Sequence, residues 1–534
     1  MEKDKYLDWM RIHPWDTEGQ SCSCAESRLE NFINGKWITA KKTKTIVSPI
    51  DGHAMFQAPD TKKDEIDPFV SFLDTCPEGG LHNPFKNTER YRQYGLVFGK
   101  AANLLSSHFF ADYFARLIQS VMPKSYAQAY GEVTVTRDAL YNLSGDGVRD
   151  CAVWAGIPGD RSGQRAEEHR FPHGPTIIIA PFNFPLEIPA LQLVGALAMG
   201  NKVLIKGASV ASAVIEMFIR MLLSCDMPRN DVALIHCDGA TMEEIIRQTR
   251  PAMTQFTGSS KVAERLTFLT RGKIKIEDSG FNWKILGPDC PFFDQSLLDY
   301  TAWQCDQDAY AASGQKCSAQ SLLFVHTNWK EADIIDKIAE CALQRKLQDL
   351  TIGPLLSIRT KDILLHIEEL SHIPEFRLIF GGKPLEEHTI PEQYGAIEPT
   401  AVSLPIQALL KGETFRLATK EIFGPFQIIV GYKDSDIPTV LKIIRGVKHK
   451  LTAAIVSDDI VFINRIIGET ANGTTYAGYR ARTTGAPEWH GFHPAGVLAA
   501  NIGTREAIRE VWSYGRTIVF DNGSPPKGWE PTQT

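Results

Sequence analysis

Several patterns that define common classes of protein are missing from this sequence. It has a formal net charge of −6 at pH 7 and no long run of Lys and Arg, so the electrostatic footprint of a nucleic-acid-binding protein is absent. Prolines and polar residues interrupt the most apolar region, residues 176–206, which leaves no unbroken apolar run of the length that crosses a bilayer. We therefore expect neither a nucleic acid nor a membrane as a partner.

Cysteine usage and the N-terminal residues bear on the cellular compartment. Ten cysteines are scattered over 534 residues, and the one close pair, Cys22 and Cys24, has no CxxC or HxxxH downstream to complete a zinc site. We expect reduced thiols in an intracellular compartment and no metal. The first twenty residues hold five acids beside three basic residues, unlike an Arg-rich transit peptide, so no targeting peptide is predicted in this chain.

The motifs of several enzyme classes are missing as well. None of the fourteen histidines stands in an HExxH pattern, and the sequence holds neither a nucleophile-elbow serine nor a Walker phosphate loop. Hydrolases that depend on those motifs are thereby excluded. A G-x-G-x-x-G fingerprint is also absent, so a dinucleotide site cannot be assigned from that motif.

What the sequence does contain is a repeated alternation of short β-rich runs and longer helical ones from residue 175 onward. Between the β-rich runs, apolar residues recur at the three- and four-residue spacing of helices, which predicts a parallel, doubly wound α/β sheet. Its predicted strands are TIIIA (176–180), KVLIK (202–206), VALIHC (232–237), MTQFT (253–257) and KIKIE (273–277). A second α/β region is predicted from the strands SLLFVH (321–326), RLIFGG (377–382) and a run within 421–432, with a helix near 330–347.

Three residues stand where chemistry could occur. Cys317 lies in SGQKCSAQS (313–321); a free cysteine is more often a small buried hydrophobe, but little bulk surrounds this one, so a substrate carbon could approach the sulfur. Glu277 ends the last predicted strand, where a carboxylate faces the ligand crevice, although most glutamates are simply solvated. Asn183 follows the first strand between two prolines and two phenylalanines, as a buried donor or a turn residue.

Further residues at strand ends suit a phosphate-bearing cofactor. Lys206 precedes a helix, so its ammonium could meet a phosphate or a ribose, unless it is a surface lysine. Gly258 and Ser259 open another helix, an arrangement that suits a pyrophosphate but also describes an ordinary N-cap. Position alone leaves both alternatives open.

Six motifs in order resemble those of the NAD(P)-dependent aldehyde dehydrogenase superfamily. They are PFNFP (181–185), NKVLIKGAS (201–209), QFTGSSKVAERL (255–266), IEDSG (276–280), SGQKCSAQS (313–321) and KEIFGPF (420–426). Stretches such as LHNPFKNTERY, MPKSYAQA and GTTYAGYRARTTGAP are similar to the plant-type family 12 branch, the Δ1-pyrroline-5-carboxylate dehydrogenases. This resemblance extends over nearly the whole chain.

The resemblance implies a role for each matching residue. Cys317 would be the nucleophile, Glu277 the base that activates water, and Asn183 the oxyanion donor together with the Cys317 N–H. Ser318 would contact the substrate, and the anchor loop for its carboxylate matches HPAGVLAANIG, with Gly496 and Ala499. The cofactor contacts would come from one set of residues: Ile179, Ala180, Pro181, Phe182, Lys206, Ser209, Gly258, Ser259, Glu421 and Phe423. The chain departs from the family in its base motif, which has an extra carboxylate at Asp278, and in an anchor loop poorer in Gly and Ser.

The resemblance also implies the reaction and its setting. The enzyme would use NAD to oxidise glutamate γ-semialdehyde, formed from Δ1-pyrroline-5-carboxylate, to glutamate, through a thiohemiacetal and a thioester on Cys317. The fold would comprise an NAD-binding domain (1–154 and 172–286), a catalytic α/β domain (287–480) and a small β oligomerisation arm (155–171 and 505–534). A homo-oligomer in the mitochondrial matrix is expected.

Other functions remain open from the sequence. Within the family, the substrate could be another semialdehyde, such as succinic semialdehyde. A Cys-dependent hydrolase or acyltransferase would use the same thiol without a dinucleotide. A binding protein that retains the fold without turnover is a third possibility, against which the set of Cys317, Glu277 and Asn183 argues.

Overall fold

The computed structural model describes residues 27–152, 155–278, 280–485, 499–503, 505–525, 527–531 and 533. The N-terminal residues examined for a targeting peptide, with Cys22 and Cys24, lie outside this range, as does Gly496. The strands are β1 (Asn31–Ile33), β2 (Lys36–Ile38), β3 (Thr43–Val47), β4 (Ala54–Pro59), β5 (Ala155–Pro158), β6 (Arg165–Pro172), β7 (Pro175–Ile179), β8 (Lys202–Lys206), β9 (Val232–Leu234), β10 (Met253–Thr257), β11 (Ile274–Glu277), β12 (Asn282–Leu286), β13 (Gln320–His326), β14 (Arg377–Phe380), β15 (Thr400–Ser403), β16 (Phe426–Tyr432), β17 (Thr452–Val456), β18 (Thr474–Ala477) and β19 (Ser513–Phe520).

Helices alternate with these strands over most of the chain. They are α1 (Asp67–Asp74), α2 (Glu89–Leu105), α3 (His108–Val121), α4 (Tyr126–Asn142), α5 (Glu187–Ala198), α6 (Ser212–Ser224), α7 (Gly239–Thr249), α8 (Ser260–Thr270), α9 (Gln295–Tyr310), α10 (Thr327–Glu331), α11 (Ile334–Leu343), α12 (Thr360–Ser371), α13 (Gly412–Ala418), α14 (Ile437–Gly446), α15 (Ile460–Glu469) and α16 (Arg505–Trp512).

The first sheet has the strand order β11-β10-β7-β8-β9-β1-β2. Strands β7 to β11 are parallel, and β1 pairs with β9 in the antiparallel direction. Their Val- and Ile-rich sequences suit strands that are buried on both faces, since helices α2 to α6 cover one face and α1, α7 and α8 the other. The predicted doubly wound parallel sheet is confirmed.

A second, mostly parallel sheet has the order β14-β15-β16-β13-β12-β17-β18. Only β14 pairs antiparallel within it, at the edge. The helix predicted near 330–347 is interrupted, because Asp333 adopts a left-handed backbone with φ of 55° that a continuous helix does not allow. The structure instead has a short helix, α10, followed by α11.

A third sheet, β19-β6-β5, is antiparallel and joins the two segments predicted as an arm. Its edge strand β5 is exposed at all four residues. The segment before β19 differs from the expectation for an arm, because it forms helix α16, whose buried residues pack with the core of the first sheet. The proposed domain boundaries stay a prediction. In the described part of the chain, no helix combines the length and apolarity needed to span a membrane.

Candidate active site

A cleft of about 540 Å³ runs beyond the carboxyl ends of the first sheet and is bounded by the second. It brings together residues that are far apart in sequence, as expected where parallel strands end at one edge. Of the predicted site residues, the cleft is lined by Ile179, Ala180, Pro181, Phe182, Asn183, Lys206, Gly258, Ser259, Glu277, Cys317, Glu421 and Phe423.

The loop that carries Cys317 has an unusual backbone that buried side chains hold in place. Ala312 and Ser313 have φ values of 53° and 55°, a region that residues with a side chain rarely occupy. The Ser313 hydroxyl accepts a hydrogen bond from the Gly353 N–H (2.8 Å). Gln315 is fully buried. Its side-chain amide donates to the Pro354 carbonyl, and its side-chain oxygen accepts from the Leu356 N–H. These contacts hold the backbone of the loop immediately before Cys317.

Asn282, at the start of β12, holds the backbone at and after Cys317. Its amide donates to the carbonyl oxygens of Cys317 (2.7 Å) and Ala319 (2.8 Å), and its Oδ1 accepts from the Thr452 N–H (2.8 Å). Gly280 passes so close that a β-carbon there would overlap the Cys317 carbonyl oxygen. The glycine of the base motif is thus required by close packing between the base segment and the nucleophile segment.

Glu277 ends β11 and is buried at the cleft wall. Its Oε2 accepts a hydrogen bond from the Thr257 hydroxyl (3.4 Å), whereas Oε1 has no hydrogen-bond partner among the described residues. Burial raises the pKa of Glu277 to about 7, against the opposing effect of contacts with Cys317 and Thr257. A carboxyl group that titrates near neutrality, with one free oxygen, has the properties of a general base.

The Cys317 thiol lies within the influence of three carboxyl groups. Burial raises its pKa well above the ordinary value, and Glu277, Glu421 and Glu187 raise it further. The thiol is therefore protonated at neutral pH in this structure. A nucleophile in this state needs a nearby proton acceptor, and Glu277 is in contact with it.

Two N–H groups of residues that line the cleft are available to an oxyanion. The Asn183 amide donates one hydrogen bond to the Gln315 carbonyl (3.1 Å), which ties it to the nucleophile loop and leaves its second N–H available. The Cys317 backbone N–H donates to no acceptor in the described part of the chain. Both are suited to an oxygen on a carbon bonded to Cys317.

At the other end of the cleft, the residues suit a dinucleotide. Ser259 has the backbone of an N-cap at α8, but its hydroxyl caps no N–H of its own helix. Among the described residues, Lys206 donates only to the adjacent Gly207 carbonyl (3.1 Å), and burial lowers the pKa of Lys206. Glu421 accepts from the Gly280 N–H (2.8 Å), and burial raises its pKa to about 7. A hydroxyl, an ammonium and a helix N-terminus at one end of the cleft fit a pyrophosphate and a ribose.

Three predicted contacts have other surroundings. The Ser209 hydroxyl accepts from the Lys44 ammonium (2.8 Å), and Ser209 does not belong to the cleft lining. Ser318 is buried, also outside the lining. Ala499 forms a bridge with Ile276, next to Glu277, and packs against Cys317 as a small apolar residue. The ligand contacts predicted for Ser209, Ser318 and Ala499 stay predictions.

Sequence reasoning missed a partly buried carboxyl beside the site. Glu187 begins α5, four residues after Asn183, and burial with the neighbouring Glu132 raises its pKa to about 8. The charge of Glu277 contributes to that increase, and Glu187 in turn raises the pKa of Cys317. The sequence did indicate it, because Glu187 is the one acidic residue in the mostly apolar run PLEIPALQLVG.

Known proteins resemble this chain at several levels. Residues 37–513 match the model described as the aldehyde dehydrogenase family. Delta-1-pyrroline-5-carboxylate dehydrogenase 12A1, mitochondrial, of Arabidopsis thaliana is 51% identical over 506 residues, covering 94% of this chain and 90% of the relative. A probable aldehyde dehydrogenase of Linum usitatissimum is 51% identical over 501 residues, with the same coverage. The NAD-dependent aldehyde dehydrogenase of Sinorhizobium meliloti has the same fold, with a TM-score of 0.81 at 18% identity, covering 97% of this chain and 99% of that one.

Proposed function

Because this chain belongs to the aldehyde dehydrogenase family, we propose that it oxidises glutamate γ-semialdehyde, the open form of Δ1-pyrroline-5-carboxylate, to glutamate with NAD. The substrate comes from the relative that is 51% identical over most of both chains. The observation that carries the proposal is the convergence of Cys317, Glu277 and Asn183 on one cleft that also fits a dinucleotide.

The residues that would hold NAD lie along that cleft. We assign the pyrophosphate to the N-terminus of α8 at Gly258 and Ser259, and the adenosine ribose to the Lys206 side. Glu421 and Phe423 would hold the nicotinamide end near Cys317. When bound there, NAD supplies an acceptor for a hydride. The chain's contribution is to hold the reacting carbon on the thiol.

The first half of the reaction forms a bond to sulfur. The Cys317 sulfur adds to the aldehyde carbon, and the thiol proton passes to the carboxylate of Glu277 and from there to solvent. The carbonyl oxygen becomes an oxyanion that accepts hydrogen bonds from the Asn183 amide and the Cys317 N–H. Loss of a hydride from that carbon leaves a thioester on Cys317.

The second half releases the acid. The Glu277 carboxylate takes a proton from water, whose oxygen attacks the thioester carbon. The C–S bond breaks, the sulfur recovers a proton from Glu277, and the remaining acid proton passes to solvent as glutamate leaves as the carboxylate. The free Oε1 of Glu277 is the oxygen that we assign to this water.

Replacing Asn183 with alanine should lower kcat by about 10² to 10³-fold, because one of two oxyanion donors is lost. The affinity for NAD should change little, since the Asn183 amide bonds the nucleophile loop and not the cofactor end of the cleft. Steady-state kinetics with an independent measurement of NAD binding checks both parts. An unchanged kcat would remove Asn183 from the oxyanion site.

The rate should depend on pH through the carboxyl of Glu277. Its pKa is raised to about 7, so the group is protonated and inactive as a base at lower pH, and kcat should rise with pH and level off above about 7. Glu421 also has a pKa raised to about 7. Two variants distinguish these carboxyl groups. Glu421→Gln should keep the rise of kcat with pH, and Glu277→Gln should abolish it. If kcat still rises with pH in Glu277→Gln, a group other than Glu277 is responsible for the titration.

The substrate proposal is tested by measuring NAD reduction with Δ1-pyrroline-5-carboxylate and with succinic semialdehyde. We expect a higher kcat/KM for the former. A higher kcat/KM for the substrate that lacks the α-amino group would favour the other semialdehyde. Absence of NAD binding would instead favour a Cys-dependent hydrolase or acyltransferase.

Assembly and location are part of the proposal. The exposed edge of β5 in the three-stranded sheet supports pairing between copies, and we propose a homo-oligomer. The relative from Arabidopsis thaliana is named as mitochondrial, which supports the mitochondrial matrix. Sedimentation of the purified chain tests the first, and fractionation of cells tests the second.

A further inference from the structure

A buried ion pair lies behind the segment that carries Asn183. Lys124 stands in the turn between α3 and α4, and Glu132 lies on α4. Their side chains are 0% and 1% exposed, and Lys124 Nζ is 2.6 Å from Glu132 Oε1. The mechanism above uses neither residue.

This pair contacts the Asn183 segment at three backbone atoms. The Lys124 ammonium donates to the Asn183 carbonyl oxygen (2.7 Å). The second carboxyl oxygen of Glu132 accepts from the N–H groups of Leu186 (3.2 Å) and Glu187 (3.3 Å). The ammonium also lies over the Phe184 ring, 4.3 Å from its centre. One pair of charges therefore holds the part of the chain from Asn183 to the start of α5.

Asn183 is consequently held at both its backbone and its side chain. Its carbonyl is bound by Lys124, and its side-chain amide is bound by the Gln315 carbonyl of the nucleophile loop. Burying two charges is costly, and an apolar pair of similar volume often stabilises a fold equally well. The ion pair is thus better explained by the atoms that it holds than by stability.

We propose that Lys124 and Glu132 form a positioning pair for the oxyanion donor. By fixing the Asn183 peptide, they set the distance of its amide from the carbon bonded to Cys317. This inference rests on the proposed function, because it assumes that Asn183 binds the oxyanion. A displacement of about 1 Å at a reacting centre can cost about 10²-fold in rate.

The test combines Lys124→Met with Asn183→Ala in a double-mutant cycle. In the otherwise unchanged chain, Lys124→Met should lower kcat by about 10- to 100-fold. In the Asn183→Ala background it should lower kcat by less than about twofold, because the group that it positions is gone. Melting temperature and NAD affinity are measured for each variant.

Lys202→Met is a matched control. Lys202 is also a buried lysine beside a ring, 4.2 Å from the centre of Phe72, but it begins β8, at the end of the strand opposite Lys206. Its loss should leave kcat within about twofold of the parent. If Lys124→Met does not fold, Lys124→Arg and Glu132→Gln replace it in the same cycle, since Arg keeps the charge and Gln removes only that of Glu132.

Each outcome decides one claim. An effect of Lys124→Met that disappears with Asn183→Ala supports the positioning pair. The same fold-loss in both backgrounds, or no loss in the parent, overturns it and leaves a structural ion pair. If Asn183→Ala itself does not lower kcat, the oxyanion assignment in the proposed function fails, and that result is distinct because it needs no change at Lys124.

Discussion

Replacing Cys317 with alanine should reduce turnover by at least about 10⁴-fold, the order of loss expected when a covalent nucleophile is removed. No other route to the thioester exists in the proposed mechanism. The fold and NAD binding should persist, because the loop is held by Asn282 and Gln315 through atoms that alanine keeps or does not touch. Steady-state turnover and NAD titration measure the two effects.

Cys76 supplies the matched control for this prediction. It is a partly exposed thiol outside the cleft lining, so Cys76→Ala should keep turnover near that of the parent. Substantial turnover in Cys317→Ala, or a comparable loss in Cys76→Ala, would contradict the assignment of the nucleophile.

Replacing Glu277 with glutamine should lower kcat by about 10² to 10⁴-fold, the usual contribution of a general base. Hydrolysis of the thioester should become rate-limiting, so rapid mixing should reveal a burst of about one NADH per active site, followed by slow turnover. The burst should be slower than in the parent enzyme, because the thiol has also lost its proton acceptor.

Asp278 supplies the neighbouring control for the base. It follows Glu277 directly and also lines the cleft, but its partner is His449, whose Nδ1 lies 3.7 Å from Oδ2 of Asp278 and whose pKa Asp278 raises. Asp278→Asn should therefore show no burst and retain most of the turnover. A burst in Asp278→Asn and none in Glu277→Gln would assign the role of general base to Asp278 instead of Glu277.

The sequence predicted those parts of the site that follow from the geometry of parallel strands. Asn183, Lys206, Gly258 and Glu277 each follow or end a strand of the first sheet, and such ends meet at one edge. The fold class and the family were predicted correctly for the same reason, because ordered motifs fell at these ends. The roles assigned to the residues remain proposals.

Contacts between distant segments could not be predicted from the sequence. The clamp from Asn282 to the Cys317 carbonyl depends on how the two sheets approach each other. The left-handed backbone at Ala312 and Ser313 is disfavoured by local preference and exists only because surrounding contacts impose it. The Lys124–Glu132 pair joins a helix turn to a loop 59 residues away. No local pattern encodes these three arrangements.

Resemblance to a family predicts which residue stands at a position, but it does not predict what that residue contacts in this chain. Ser209 matches the ribose position, yet in this chain Lys44 occupies its hydroxyl. Ser318 matches a substrate contact, yet it is buried outside the described cleft. Both depend on the exact path of the chain around the motif, which the motif itself does not specify.

The central claim is that oxidation of glutamate γ-semialdehyde leaves its acyl group on Cys317 as a thioester, from which water releases glutamate. It is tested most directly by mixing Glu277→Gln with Δ1-pyrroline-5-carboxylate and NAD, quenching during the burst, and locating any adduct by peptide mass spectrometry. The account predicts one glutamyl group on the peptide that contains Cys317, and none when NAD is omitted. NADH formation without an adduct, or an adduct on another cysteine, would contradict it.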